Sequence, residues 1–122
     1  METFVAGDLR IEPRDDAPRG VIQLFWSGKS NAANPAQLLG PYFGAVLDEA
    51  AGLGRGLEMR FERLGFFNSS TITAVIHAIQ NARARGVRLT IVYDPATKAQ
   101  KLSFEALRGF VKNDELVPVR AA

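Results

Sequence analysis

Between Leu57 and Asp94 the hydrophobic period of the chain changes twice. Leu57, Met59 and Phe61 alternate with Glu58, Arg60 and Glu62, which is the two-residue period of a strand with one polar face. Ile72, Val75, Ile76 and Ile79 then fall at i, i+3, i+4 and i+7, the stripe of an amphipathic helix running from Thr71 to about Arg85. Gly86 supplies a C-terminal stop. VRLTIVYD, Val87 to Asp94, is rich in β-branched and aromatic residues and reads as a second strand. Strands joined through a helix favour parallel pairing by a right-handed crossover. This unit restricts the chain to an α/β layer architecture.

The remaining segments extend the same alternation. Thr3 to Glu12 reads as a strand interrupted at Gly7, PRDDAPRG (Pro13 to Gly20) as turn chemistry throughout, and Val21 to Trp26 as a strand. SGKSNAANP is a loop. Asn34-Pro35 is an N-cap followed by Pro at the first helical position, where its missing N–H does no harm. That helix runs to about Ala51 on the stripe Leu38, Leu39, Tyr42, Phe43, Val46 and Leu47, with Gly40 and Pro41 disturbing it. PATKAQK is a loop, Leu102 to Val111 a third helix, and Leu116 to Val119 a short last strand. The predicted order is β-β-α-β-α-β-α-β in one domain spanning 1–122, with a mixed, mostly parallel sheet.

With 122 residues, 47% of them hydrophobic, the chain suits one core. A net charge of +2, with acids and bases interspersed, lacks the basic stripe of a nucleic-acid binder, and no nucleic-acid partner is expected. The absence of cysteine excludes disulfides, thiolate metal sites and Cys nucleophiles. No apolar run approaches the ~20 residues of a membrane span, and the acidic N-terminus METFVAGDLRIEP is unlike a secretion signal. A cytoplasmic protein with no membrane association, metal or cofactor is the expectation.

Several side chains invite a chemical reading. WSGKS, Trp26 to Ser30, is not a phosphate-binding loop, because Gln23 stands where that motif needs Gly and no helix begins at Ser30. His77, the only histidine, lies just off the apolar stripe and reads as a surface side chain. Asp94 ends a strand where α/β proteins gather ligands, yet Asp-Pro is also ordinary turn chemistry. Arg83, Arg85 and Arg88 read as a solvated helix terminus.

FFNSST, Phe66 to Thr71, is the exception. One polar residue suffices to cap a helix, and here Asn68, Ser69 and Ser70 follow two aromatics. Phosphate at this strand–helix corner would meet free N–H groups and the positive helix end. Local physics leaves the cap and the chemically used hydroxyl equally open. A hydrolase built on Ser69, His77 and Asp94 is disfavoured, since His77 stands ~12 Å along the helix axis from Ser69.

GFFNSSTITAVIHAIQNARARGVRLTIVYD resembles the central strand–helix–strand of STAS-type anti-sigma-factor antagonists, and its Asn-Ser-Ser is closer to the SiaC-like regulatory phosphoproteins. Ser27-Gly28-Lys29-Ser30 with Asn34-Pro35, and Tyr93-Asp94, are similar to further family stretches, so the resemblance covers about residues 20–112. Thr71 replaces the Gly of the STAS motif, and Ser69 the Thr of the SiaC-like one. The resemblance implies a STAS-like fold and a non-enzymatic regulator in a partner-switching pathway. It implies Ser69 as phosphoacceptor, Ser70 as second choice and helix cap, and a partner surface including Asn68, Ser69, Ser70, Thr71, Lys29, Ser30 and Asp94. Its implied partners are a Ser/Thr kinase of the GHKL anti-sigma type, a PP2C-type phosphatase and, on the SiaC-like side, a diguanylate cyclase. A phosphorylation-independent interaction module is the alternative.

Overall fold

Gly7, with φ +56°, turns the N-terminal segment back on itself, so the expected first strand is two: β1, Phe4–Ala6, and β2, Leu9–Asp16. The computed structural model describes residues 1–122 and continues with β3, Val21–Ser30; α1, Pro35–Leu53; β4, Gly56–Phe67; α2, Ser69–Arg85; β5, Leu89–Tyr93; α3, Lys98–Val111; and β6, Val119–Ala121. The six strands lie in chain order across one sheet. The pairs β1–β2 and β2–β3 are antiparallel, and β3–β4, β4–β5 and β5–β6 are parallel. The mixed, mostly parallel single-domain sheet expected from the alternation is present, with one more strand than the predicted order.

Other boundaries shift for physical reasons. Pro13–Asp16 is strand, not turn: only β3 pairs with it, because β1 covers no more than Leu9–Ile11, and a Pro is tolerated on such an edge. Ser27–Ser30 is strand rather than loop, held against β2 and β4 despite register shifts after Phe25 and Gly28. Lys98–Lys101, expected in a loop, form the first turn of α3, where the fully buried Gln100 has a structural task. Its amide donates to the carbonyls of Phe61 (2.6 Å) and Leu64 (3.0 Å), and its oxygen accepts from Asp94 N–H (2.9 Å). Those carbonyls lie beyond Arg60, where β4 loses β5 as a partner, so the side chain stands in for a strand. The last strand begins at Val119, not Leu116, although the carbonyls of Leu116 and Pro118 already accept from Leu89 and Ile91.

All three helices cover one face of the sheet. Trp26 on β3 packs on Phe43 of α1 and on Phe61 of β4, and Phe61 packs on Phe104 of α3. Three crossovers of one hand, stepping one way across the sheet, produce this one-sided arrangement. α1 continues through Pro41, which stands on its solvent side while Leu39, Phe43, Val46 and Leu47 are buried. α2 buries Thr71, Ala74, Val75, Ala78, Ile79 and Ala82, so its buried stripe is rotated from the expected one and Ile72 and Ile76 are only partly covered. The small alanines let α1 approach, and the Arg85–Asp48 ion pair ties the two helices together.

The opposite face carries no helix. Glu58, expected on a polar strand face, is 1% exposed there. It accepts from Arg19 (2.7 Å), Gln23 (3.0 Å) and Arg60 (3.0 Å), which together cover it in place of a second layer. Burial by itself raises the pKa of its carboxyl; the hydrogen bonds from Arg19, Gln23 and Arg60 and the charge of Arg19 outweigh it and hold the group at about 2.

Candidate functional site

The corner between β4 and α2 is organised by Asn68. Successive strand residues face opposite ways, so Phe67 turns inward against Phe104, with rings 5.8 Å apart, while Phe66 is turned out and is 48% exposed. Asn68 then leaves the strand in an extended conformation and caps α2: its Oδ1 accepts from Thr71 N–H (3.0 Å) and from the Thr71 hydroxyl (2.8 Å). The expectation that Ser70 caps the helix is corrected here. An Asn side chain at this position reaches the third helical N–H directly, and Ser70 already lies inside the first turn.

Asn68 also joins two segments distant in sequence. Its Nδ2 donates to Ala32 O (3.0 Å), and its backbone N–H to Ser30 O (3.1 Å). Ser30 and Thr71 share a hydroxyl–hydroxyl bond of 2.7 Å and are 2% and 1% exposed. These two members of the expected partner surface therefore lie beneath it and pin the β3–α1 loop to the start of α2. Replacing Asn68 with Ala removes the cap and the tie to Ala32, and is expected to destabilise the fold by about 1–2 kcal/mol. Asn68→Asp keeps the acceptor and is expected to lose less, which paired thermal melts will measure.

Ser69 and Ser70 occupy the first two helical positions. Ser69 is exposed and Ser70 half-buried, and neither hydroxyl has a partner within the molecule. Their backbone N–H groups, among the orphan donors of a helix start, are likewise unpaired by other segments. Lys29 is exposed beside this corner, opposite Phe66 in the β3–β4 register. A cavity of about 170 Å³ opens next to it, lined by Lys29, Ser30, Ala32, Pro35, Leu38 and Ala6 among others. Leu38, at 41% exposure, adds an apolar edge.

The other named side chains lie apart. Both carboxylate oxygens of Asp94 are engaged in the turn to α3, one by Ala96 N–H and one by the Thr97 hydroxyl, each at 2.9 Å. Asp94 shares with Ser69 only the carboxyl edge of the parallel strands. His77 is exposed on the outer side of α2, and no hydrogen bond joins it to Ser69 or Asp94. Sequence reasoning missed Phe66 and Leu38 as surface residues. The Phe66-Phe67 doublet held the signal for the first, since one of two adjacent strand aromatics has to face out.

An α/β domain with three helices on one face of a mixed sheet, and a serine-bearing strand–helix corner at its carboxyl edge, defines a STAS-like fold. The structure is similar to the crystal structure of an anti-sigma factor antagonist from Mycobacterium paratuberculosis, with a TM-score of 0.56 over 95% of this chain and 89% of that one. The two are 14% identical, a likeness that establishes the fold alone. No family model matches the sequence, and no curated protein matches it. No helix is long and apolar enough to cross a membrane.

Proposed function

We propose that the chain is a non-enzymatic regulatory phosphoprotein of a partner-switching pathway, which binds its partner when unmodified and is controlled by reversible phosphorylation of Ser69. The observation that carries this reading is the division of work at the corner. Asn68 takes the cap, so the exposed Ser69 hydroxyl has no structural duty. The unpaired N–H groups and positive end of α2 tolerate a phosphate within the molecule. A partner packed over Phe66, Leu38 and the corner does not, because the new charge has to be desolvated against an apolar surface.

The resemblance suggests a Ser/Thr kinase of the GHKL anti-sigma type as the partner that binds and modifies the chain, a PP2C-type phosphatase as its opponent and, on the SiaC-like side, a diguanylate cyclase as the regulated protein. Lys29 and the surface of Asn68, Ser69 and Ser70 form the proposed contact area, with Ser30 and Thr71 shaping it from below and Asp94 holding the neighbouring turn.

Intact-mass measurement after incubation with lysate of the source cells and ATP is expected to show one added phosphate. Fragment mapping should place it on Ser69, with Ser70 the only other hydroxyl consistent with the reading. In pull-downs, Ser69→Ala is expected to retain the partner and Ser69→Asp to lose it tenfold or more, with unchanged melting curves. Equal recovery by both variants identifies a phosphorylation-independent interaction module instead.

A further inference from the structure

At the opposite end of the parallel strands from Ser69, the starts of β3, β4 and β5 surround a second concavity, of about 370 Å³. Arg19, Arg88 and Arg120 converge on it, with Thr90 and Glu58 in its wall. Glu58 in the wall and Asp16, which pairs with Arg19 at 3.4 Å, offset two of these three guanidiniums and leave one positive charge in excess. The carboxylate is also already saturated, because Glu58 accepts from Arg19, Gln23 and Arg60, with Arg120 only 3.8 Å away. Arg88 has no carboxylate or carbonyl partner, and Arg120 makes no hydrogen bond beyond its 3.8 Å approach to Glu58, so both residues that line the space keep N–H donors to spare.

Gly56 forms part of the wall, and a Cβ on it would meet the Arg88 carbonyl at 3.2 Å and the Val21 side chain at 3.7 Å. The arginines come from four separate places: the turn before β3, the residue before β5, β4 for the Arg60 support, and β6. Buried Glu58 gathers Arg19 and Arg60 and draws Arg120 toward the same point. Arg83 and Arg85, close to Arg88 in sequence, are drawn elsewhere by Asp114 and Asp48.

We infer that this concavity is a binding site for a small phosphate-bearing anion. Guanidinium forks match phosphate oxygens bidentately. The Thr90 hydroxyl adds a donor on the uncovered face, and Glu58 acts as a positioning residue that fixes Arg19 without neutralising the group. The site stands independently of the proposed phosphorylation of Ser69.

The experiment titrates the full chain with inorganic pyrophosphate, against sodium chloride at matched ionic strength, and follows the backbone amide resonances of Val21, Gly56 and Thr90. A saturable shift confined to these residues is expected with pyrophosphate and not with chloride. Arg88→Gln and Arg120→Gln should each weaken binding at least fivefold while leaving the melting temperature unchanged, and Lys98→Gln, a cation on the far side of the sheet, should have no effect. A response matched by chloride, or one indifferent to Arg88→Gln and Arg120→Gln, overturns the site. Retention only on phosphatidylcholine vesicles doped with phosphatidic acid, with no response to pyrophosphate, overturns the small-anion assignment in favour of a lipid surface.

Discussion

Glu58→Ala is expected to lower stability by about 3 kcal/mol, or roughly 10 °C in melting temperature. The carboxylate is 1% exposed and holds Arg19, Gln23 and Arg60 in place, so its removal leaves Arg60 partly buried with one of its two acids gone. The loss stays at the lower end for a broken buried pair because Arg19, on the open face, can swing into water. Linkage gives the same sign: burial alone would raise the carboxyl's pKa, but the hydrogen bonds from Arg19, Gln23 and Arg60 hold it at about 2, so the ionised form favours the fold. A depressed acid stabilises the fold above its unfolded value and loses that contribution as pH falls. The stability gap between the native chain and Glu58→Gln should therefore narrow between about pH 4.5 and pH 2. Denaturant unfolding across that range measures it, and a gap that stays constant with pH would show that Glu58 acts only through packing.

Gly28→Ala is expected to cost roughly 3–4 kcal/mol, by a different mechanism. Gly28 has φ +81°, and a Cβ there would lie 1.9 Å from the Asp8 carbonyl oxygen. That oxygen accepts from Lys29 N–H at 3.1 Å, so the β1–β2 turn and the end of β3 have to separate to admit a methyl group. Gly20→Ala is the control: its φ is +70°, but nothing lies within 4 Å of a built Cβ, so only the left-handed backbone penalty of about 1–2 kcal/mol applies. Amide exchange at Lys29 and Ser30 should accelerate in Gly28→Ala alone. If the two variants unfold alike, the close approach is not what requires glycine at 28. The consequence reaches the candidate site, because Lys29 and Ser30 form one wall of the cavity beside the Asn68 corner.

Much of the sheet was legible because hydrophobic period is a local property. The strands read over Leu57–Leu64 and Val87–Asp94, seen at Gly56–Phe67 and Leu89–Tyr93, and the helix ending at Gly86 could be read without knowing their neighbours, and they place Ser69 at a strand–helix junction. The errors fall where one segment borrows from another. Gln100 is polar and unremarkable in PATKAQK, yet it completes β4. Pro13 reads as a turn until its side of β2 proves to be an edge. Ser70 was as good a cap candidate as Asn68 until Asn68 was found to cap α2 and reach Ala32 at once.

By itself the amino-acid order determined the α/β class, the crossover unit and the serine at its corner, since each depends on spacing along the chain. Tertiary structure alone decided which of the three polar residues caps α2, which aromatic of Phe66-Phe67 is exposed, and that Arg19, Arg88 and Arg120 meet around Glu58. Those arginines come from segments far apart in the chain, and only the register of β3, β4, β5 and β6 brings their charges to one place.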